Sequence, residues 1–174
     1  MALAVCLLFE PRADRAIRQL WERLEGDGIP TLASHTHGLH VPHLSYAVLR
    51  SWDLDEVREA VGGLPDGGPV RLHFDAIGLF RRSRSWLVPA IDGAVGHRQE
   101  RVVDAVVGTG ADLHKHYRPG LWVPHCTLAP RVRLDQLAVL AAAVYDVLPL
   151  DAVADRAALV DSTTGRRVPL PVVP

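Results

Sequence analysis

The sequence predicts an α+β fold built from two divergent copies of one unit, and three observations lead there. The phrase Val-Pro-His-x-(Ser/Thr) is written twice, as Val41-Pro42-His43-Leu44-Ser45 and as Val123-Pro124-His125-Cys126-Thr127. Strand-like apolar runs alternate along the chain with amphipathic stretches of helical spacing. The order of these stretches, β-α-β-α-β-β and then α-β-α-β-β, nearly repeats itself, with one phrase in each half. A chain of 174 residues suits one globular domain or two small lobes sharing a core. Residues 1–174 are read as a single domain, with no linker or low-complexity segment.

The first half opens with Ala2–Phe9, a continuous apolar run that suits a strand buried on both faces. Pro11 permits a helix start, and Ile17, Leu20, Trp21 and Leu24 recur at helical spacing, so 12–25 reads as an amphipathic helix. Gly26-Asp27-Gly28 stops it. Strand character resumes near Leu39 and runs through His43 to about Arg50. Asp53-x-x-Glu56 resembles a capping box, ahead of the apolar stripe Leu54, Val57 and Val61. Val70, Leu72 and Phe74 alternate as a strand toward Phe80, Arg81–Arg84 makes a polar turn, and Trp86–Ile91 returns. In the second half, Val95, Val102, Val103 and Val106 mark a long helix extending toward His116. Tyr117–Gly120 is a loop, and the second phrase opens a strand at about 122–129. Leu134, Leu137, Leu140, Ala141 and Val144 stripe a further helix. Two strands, about 152–160 and 167–172, close the chain around a Thr164-Gly165 turn.

Composition narrows the function. Hydrophobic residues make up 48% and charged residues 22%, which implies a folded core rather than disorder. The formal net charge of −1 argues against a surface coated for long nucleic acid, since neutralising many phosphates takes many Lys and Arg. A small anionic ligand held by a few local groups remains compatible with it. Cys6 and Cys126 lie in apolar, strand-like runs and read as buried, reduced thiols rather than a disulfide scaffold. The N-terminal apolar run lacks a basic leader and is too short to span a membrane. The expected compartment is the cytoplasm.

Proline before histidine disfavours helix at the preceding residue and fixes an extended entry. On the strand that follows, residues i and i+2 share a face, with Cα atoms about 6.5–7 Å apart. His43 and Ser45 therefore point together, as do His125 and Thr127, while Leu44 and Cys126 point to the opposite face. Two such strands across a cleft would offer two imidazoles and two hydroxyls. That set suits phosphoryl transfer at a diester. A neutral imidazole takes a proton from the attacking hydroxyl or water, and an imidazolium gives one to the leaving oxygen. The hydroxyls donate to the non-bridging oxygens. This chemistry needs no metal and no cofactor.

The paired H-x-(S/T) motifs, in a P-H-x-(S/T)-hydrophobic context in both copies, resemble the 2H phosphoesterase superfamily. The nearest likeness is to its bacterial RNA 2′,3′-cyclic phosphodiesterase group, often labelled 2′-5′ RNA ligase-like. Element order, length and internal duplication agree over nearly the whole chain; Ser45 stands where threonine is commoner. The resemblance implies a bilobal fold with pseudo-twofold symmetry, each lobe an antiparallel sheet flanked by helices, and an active site in the central cleft. It implies opening of a 2′,3′-cyclic phosphate to a 2′-phosphate, with His125 activating the water and His43 protonating the leaving 3′-oxygen.

Tyr117 and Arg118 lead into the second phrase and are candidate substrate contacts. Arg81, Arg82 and Arg84 read first as a solvated hairpin turn and second as a basic lip for an RNA end. His35, His37 and His40 precede His43 and tempt a metal reading, but no carboxylate or cysteine follows at a recognised spacing, and exposed loop histidines at the cleft mouth are preferred. Trp122 reads as a core or rim tryptophan. The expectation is a monomeric enzyme acting on a nucleotide 2′,3′-cyclic phosphate or a short RNA 3′ end. The rivals are a non-catalytic nucleotide or RNA-end binding module on the same fold, 2′-5′ ligation, and a metal-dependent hydrolase using the histidines of 35–43.

Overall fold

A computed structural model describes residues 2–174. β1 (Leu3–Phe9) is buried along almost its whole length. α1 (Pro11–Gly26) follows, its first turn capped by the Glu10 carboxylate, which accepts from the Arg12 and Ala13 N–H groups; Ala13, Ile17, Leu20, Trp21 and Leu24 form its buried stripe. A loop, residues 27–42, leads to β2 (His43–Ser51). α2 (Leu54–Gly62) is capped by Asp53. β3 (Val70–Leu79) and β4 (Ser85–Ala90) form a hairpin. Then come α3 (Gly93–Gly108), the two-residue β5 (Asp112–Leu113), β6 (Cys126–Ala129), α4 (Leu137–Tyr145), β7 (Leu150–Asp161) and β8 (Arg167–Pro169), with single 3-10 turns at Lys115–Tyr117 and Leu134–Gln136.

The strands run antiparallel in the order β5-β2-β1-β7-β3-β4-β6, with β8 also on β7. β7 is the spine: Ala154–Asp161 pairs β1, and Leu150–Ala154 pairs β3. The order is symmetric about the β7–β3 junction, so β2 corresponds to β6 and β1 to β4. This is the expected pseudo-twofold, bilobal arrangement, with the two phrase strands near opposite ends of the order. They come together nonetheless, for β2 contacts β6.

The duplication is not one of self-contained halves. α3, from the second half, packs on β2 and α2, whereas α1, from the first, packs on α4. β7 inserts between β1 and β3. Element boundaries also differ from expectation: β8 stops at Pro169 and α4 begins at Leu137. α3 stops at Gly108, where the Thr109 hydroxyl donates to the Val106 carbonyl at 2.7 Å. The chain then lends β5 to the edge of β2, Leu113 opposite Leu49. Both phrase strands start later than expected, at His43 and Cys126, because a proline has no N–H to give a ladder.

Gly78 and Trp86 face each other across the β3–β4 ladder. A Cβ at Gly78 would lie 2.3 Å from the indole, which is itself stacked on Phe80 with ring centroids 4.9 Å apart. Gly78→Ala is therefore expected to overpack the site at a cost of about 1–3 kcal/mol and to lower Tm by about 2–10 °C. A thermal melt superimposing on wild type would contradict this packing.

Candidate functional site

The two phrases fold alike in detail. His43 Nδ1 lies 2.6 Å from the Val41 carbonyl, and His125 Nδ1 lies 2.7 Å from the Val123 carbonyl. A carbonyl only accepts, so Nδ1 carries the proton in both rings. In the neutral imidazole this leaves Nε2 as the free base. The phrase Val-Pro-His thus writes a tautomer lock, with the intervening proline setting the turn that brings the valine carbonyl under the ring.

A second shared feature lies just after each hydroxyl. Val5 pairs with Ala47 but Cys6 pairs with Ser45, so Tyr46 is an extra, bulged residue. Ser85 pairs with Ala129 but Trp86 pairs with Thr127, so Leu128 is its counterpart. Bulges bend a strand and re-aim side chains. Each bulged carbonyl is used elsewhere: Tyr46 O accepts from Gln99 Nε2 at 3.1 Å and Leu128 O accepts from the Leu32 N–H at 3.1 Å. Ser45 and Thr127 are both mostly covered.

The two phrases meet where β2 approaches β6. His43 lies near enough to His125 to depress its protonation, and the Cys126 thiol lies against the backbone of His43. Burial is the main cause of both histidine shifts. It holds His43 below its ordinary value against the opposing Val41 bond. His125 falls to about 4, by burial first, opposed by the Val123 bond and helped by the charges of His43 and Arg84. Phe80 and Trp86 wall the His125 ring edge-on, at centroid distances of 5.0 and 5.7 Å.

Around Ser45, Cys6 Sγ lies 3.5 Å from Oγ, and Trp122 Nε1 donates to the Ser45 carbonyl at 3.0 Å. Trp122, read as a core or rim residue, thus ties the approach to the second phrase onto the first. Tyr117 reaches Ser45 as well. Its phenol is pushed up to about 12, chiefly by burial and then by Cys6, with Arg84 and Ser45 acting the other way. Arg118 is exposed and, among the described residues, its side chain makes no hydrogen bond or ion pair. The geometry therefore gathers His43, Ser45, His125, Thr127 and Tyr117, and among the described residues no hydrogen bond or ion pair ties Arg118 to them. It adds Arg84, whose turn (Ser83 at φ 66°) carries its charge to His125, Tyr117 and His35. The sequence carried that hint in its triple-arginine turn.

No three His, Cys, Asp or Glu side chains converge on a point that could hold a metal ion among the described residues, nor is any helix there long and apolar enough to cross a membrane. Two surface hollows along the C-terminal residues 169–173 include none of the phrase residues.

A family model, the 2′-5′ RNA ligase superfamily, matches residues 9–166. No curated protein matches. Among solved structures, a phosphoesterase has a TM-score of 0.60 at 16% identity, covering 97% of this chain and 94% of its own. Escherichia coli LigT complexed with NADP+ has a TM-score of 0.59 at 15% identity, with 97% and 93% covered. Kluyveromyces marxianus Usb1 with uridine monophosphate has a TM-score of 0.52 at 11% identity, with 98% of each chain covered. At these identities the likeness is one of fold.

Proposed function

Because this chain belongs to the 2′-5′ RNA ligase superfamily, we propose that it is a two-histidine phosphodiesterase that opens 2′,3′-cyclic phosphates to 2′-phosphates. The observation that carries this reading is the doubled tautomer lock. Two imidazoles, each with Nδ1–H engaged by a valine carbonyl, keep Nε2 available for proton transfer. Water attacks phosphorus as His125 Nε2 takes its proton. The P–O3′ bond breaks as His43, carrying a proton on Nε2, gives it to the leaving oxygen. Ser45 and Thr127 donate to the non-bridging oxygens, where charge builds in the transition state. Proton exchange with solvent then resets the pair. A cleft that takes a nucleotide is in keeping with the NADP+ and uridine monophosphate bound by the structural neighbours.

The same pair also suits 2′-5′ ligation, in which an RNA 5′-hydroxyl replaces water as the nucleophile that His125 deprotonates while the 3′-oxygen leaves; in the reverse, cleavage of a 2′-5′ linkage by the 3′-hydroxyl, the two histidines exchange roles. The deciding assay is hydrolysis of the four nucleoside 2′,3′-cyclic monophosphates, and of a short RNA with a cyclic end, in EDTA. Turnover to the 2′-phosphate isomer is expected. Tight binding without turnover would favour the binding module, and activity that returns only with zinc or manganese would favour a metal-dependent hydrolase.

A further inference from the structure

The loop of residues 27–42 is longer than most connections inside a compact domain, and loops of that length are usually functional or disordered. This one is firmly held. Glu25 Oε1 accepts from the backbone N–H and hydroxyl of both Thr31 and Ser34, at 2.7–3.2 Å. Gln136 Nε2 donates to the Gly28 carbonyl at 3.0 Å, and Leu32 bonds the bulge on β6. The loop thus runs from β6 to β2 and presents His35, His37 and His40 beside His43.

The three rings are packed together. His35 and His40 stack with centroids 5.9 Å apart, and His37 and His40 lie 4.2 Å apart. Thr36 is in the left-handed region at φ 51°, a conformation a β-branched residue rarely adopts. Its hydroxyl meets His40 Nε2 at 3.0 Å. His37 Nδ1 accepts from the Leu39 N–H at 2.9 Å, which leaves its proton on Nε2, an atom with no hydrogen-bond partner. The turn after β7 presses on this ring, for a Cβ at Gly165 would lie 2.7 Å from it. Residues held in sparsely populated backbone conformations cluster at active sites and ligand clamps.

We propose that His35 and His40, propped by His37 and joined by the Arg84 guanidinium, form a second phosphate subsite beside the reacting phosphate, so that the preferred substrate is an oligonucleotide 3′ end rather than a free cyclic mononucleotide. The inference rests on the phosphodiesterase reading above. The bank runs from His43 through His40 to His35, each close enough to feel the charge of the next, and His35 also feels the charge of Arg84. It is a short path of protonatable rings ending at one guanidinium, on a chain of near-zero net charge, suited to one internucleotide phosphate and not to a long duplex.

In the free protein His40 and His35 are both held toward the neutral form. His40 is held at about 4, by burial and by the charges of His37, His43 and His35. His35 is also lowered, by burial and by Arg84 and His37. On the turn that presses on His37, the Asp161 carboxylate is occupied by the Thr163 and Thr164 N–H groups. An arriving phosphate favours the charged imidazoles, so binding at this subsite takes up protons and strengthens as pH falls.

The test is isothermal titration of the wild type, His35→Gln and the double variant His35→Gln/His40→Gln. The ligands are uridine 2′-monophosphate and uridylyl-uridine carrying a terminal 2′-phosphate, at pH 6 and pH 8. The readout is the ratio of the two affinities. The wild type should favour the dinucleotide about tenfold at pH 6, less at pH 8, and the double variant should bring the ratio near one, with the single variant between. Equal affinities in the wild type, or an undiminished ratio in the double variant, would overturn the subsite. Turnover of cyclic mononucleotides without a dinucleotide advantage would remove the subsite alone. Failure of the wild type to bind either ligand would remove the phosphodiesterase reading with it.

Discussion

His43→Ala and His125→Ala should each reduce kcat on a nucleoside 2′,3′-cyclic phosphate by about 10³-fold, within the range expected for general acid–base groups. The double variant should be little worse than either single one, because residues that act as a unit lose their contributions together. Affinity for the 2′-phosphate product should fall much less than kcat. Each side chain is only half-buried and its lock is to a backbone carbonyl, so the variants should keep the wild-type circular dichroism spectrum. If both variants turned over within tenfold of wild type, the two-histidine assignment would be wrong. If they lost affinity and no turnover had existed to lose, the protein would be a binding module.

The pH dependence of kcat/KM should be displaced to the acid side. Reaction needs one neutral and one protonated histidine. In the free protein both lie below the ordinary 6.5, His125 at about 4. The singly protonated pair is therefore most abundant below pH 6.5. Above it the pair loses its remaining proton, and kcat/KM should fall about tenfold per pH unit. The cyclic diester stays a monoanion throughout, so the profile belongs to the protein. In the complex the bound anion raises both histidines, so the alkaline limb of kcat should lie at higher pH than that of kcat/KM. An alkaline limb of kcat/KM that begins above neutrality would contradict burial as the controlling influence on these two rings.

Much of this site was legible beforehand, and the reasons differ residue by residue. The parity of a strand put His43 with Ser45 and His125 with Thr127, because that relation is local and needs only two residues of extended chain. The buried stripe of α1 followed from the spacing of Ile17, Leu20, Trp21 and Leu24 in the same way. The i, i−2 spacing of each histidine and its valine stands in the sequence, but the rule that proline fixes an extended entry says nothing of which carbonyl the ring will meet. The bulges at Tyr46 and Leu128 are properties of register between distant strands, so no window of sequence contains them. Arg84 is exposed and sits in a polar turn, and only the closure of the cleft brings its charge to His125. β5 is too short to show any period.

The exchange of α1 and α3 between lobes, with β7 threaded between β1 and β3, bears on how the molecule comes apart. Neither the first nor the second half of the chain holds a complete sheet of its own, so a half-folded state would leave β1 without its β7 partner and β6 without β4. Most of the contacts that define the sheet join residues far apart in sequence, which slows folding and leaves little to gain from partial structure. The two phrases should therefore be lost in one cooperative transition. A fragment cut after β4 should remain a random coil until its complement is added, and the base and the acid would then appear at the same moment.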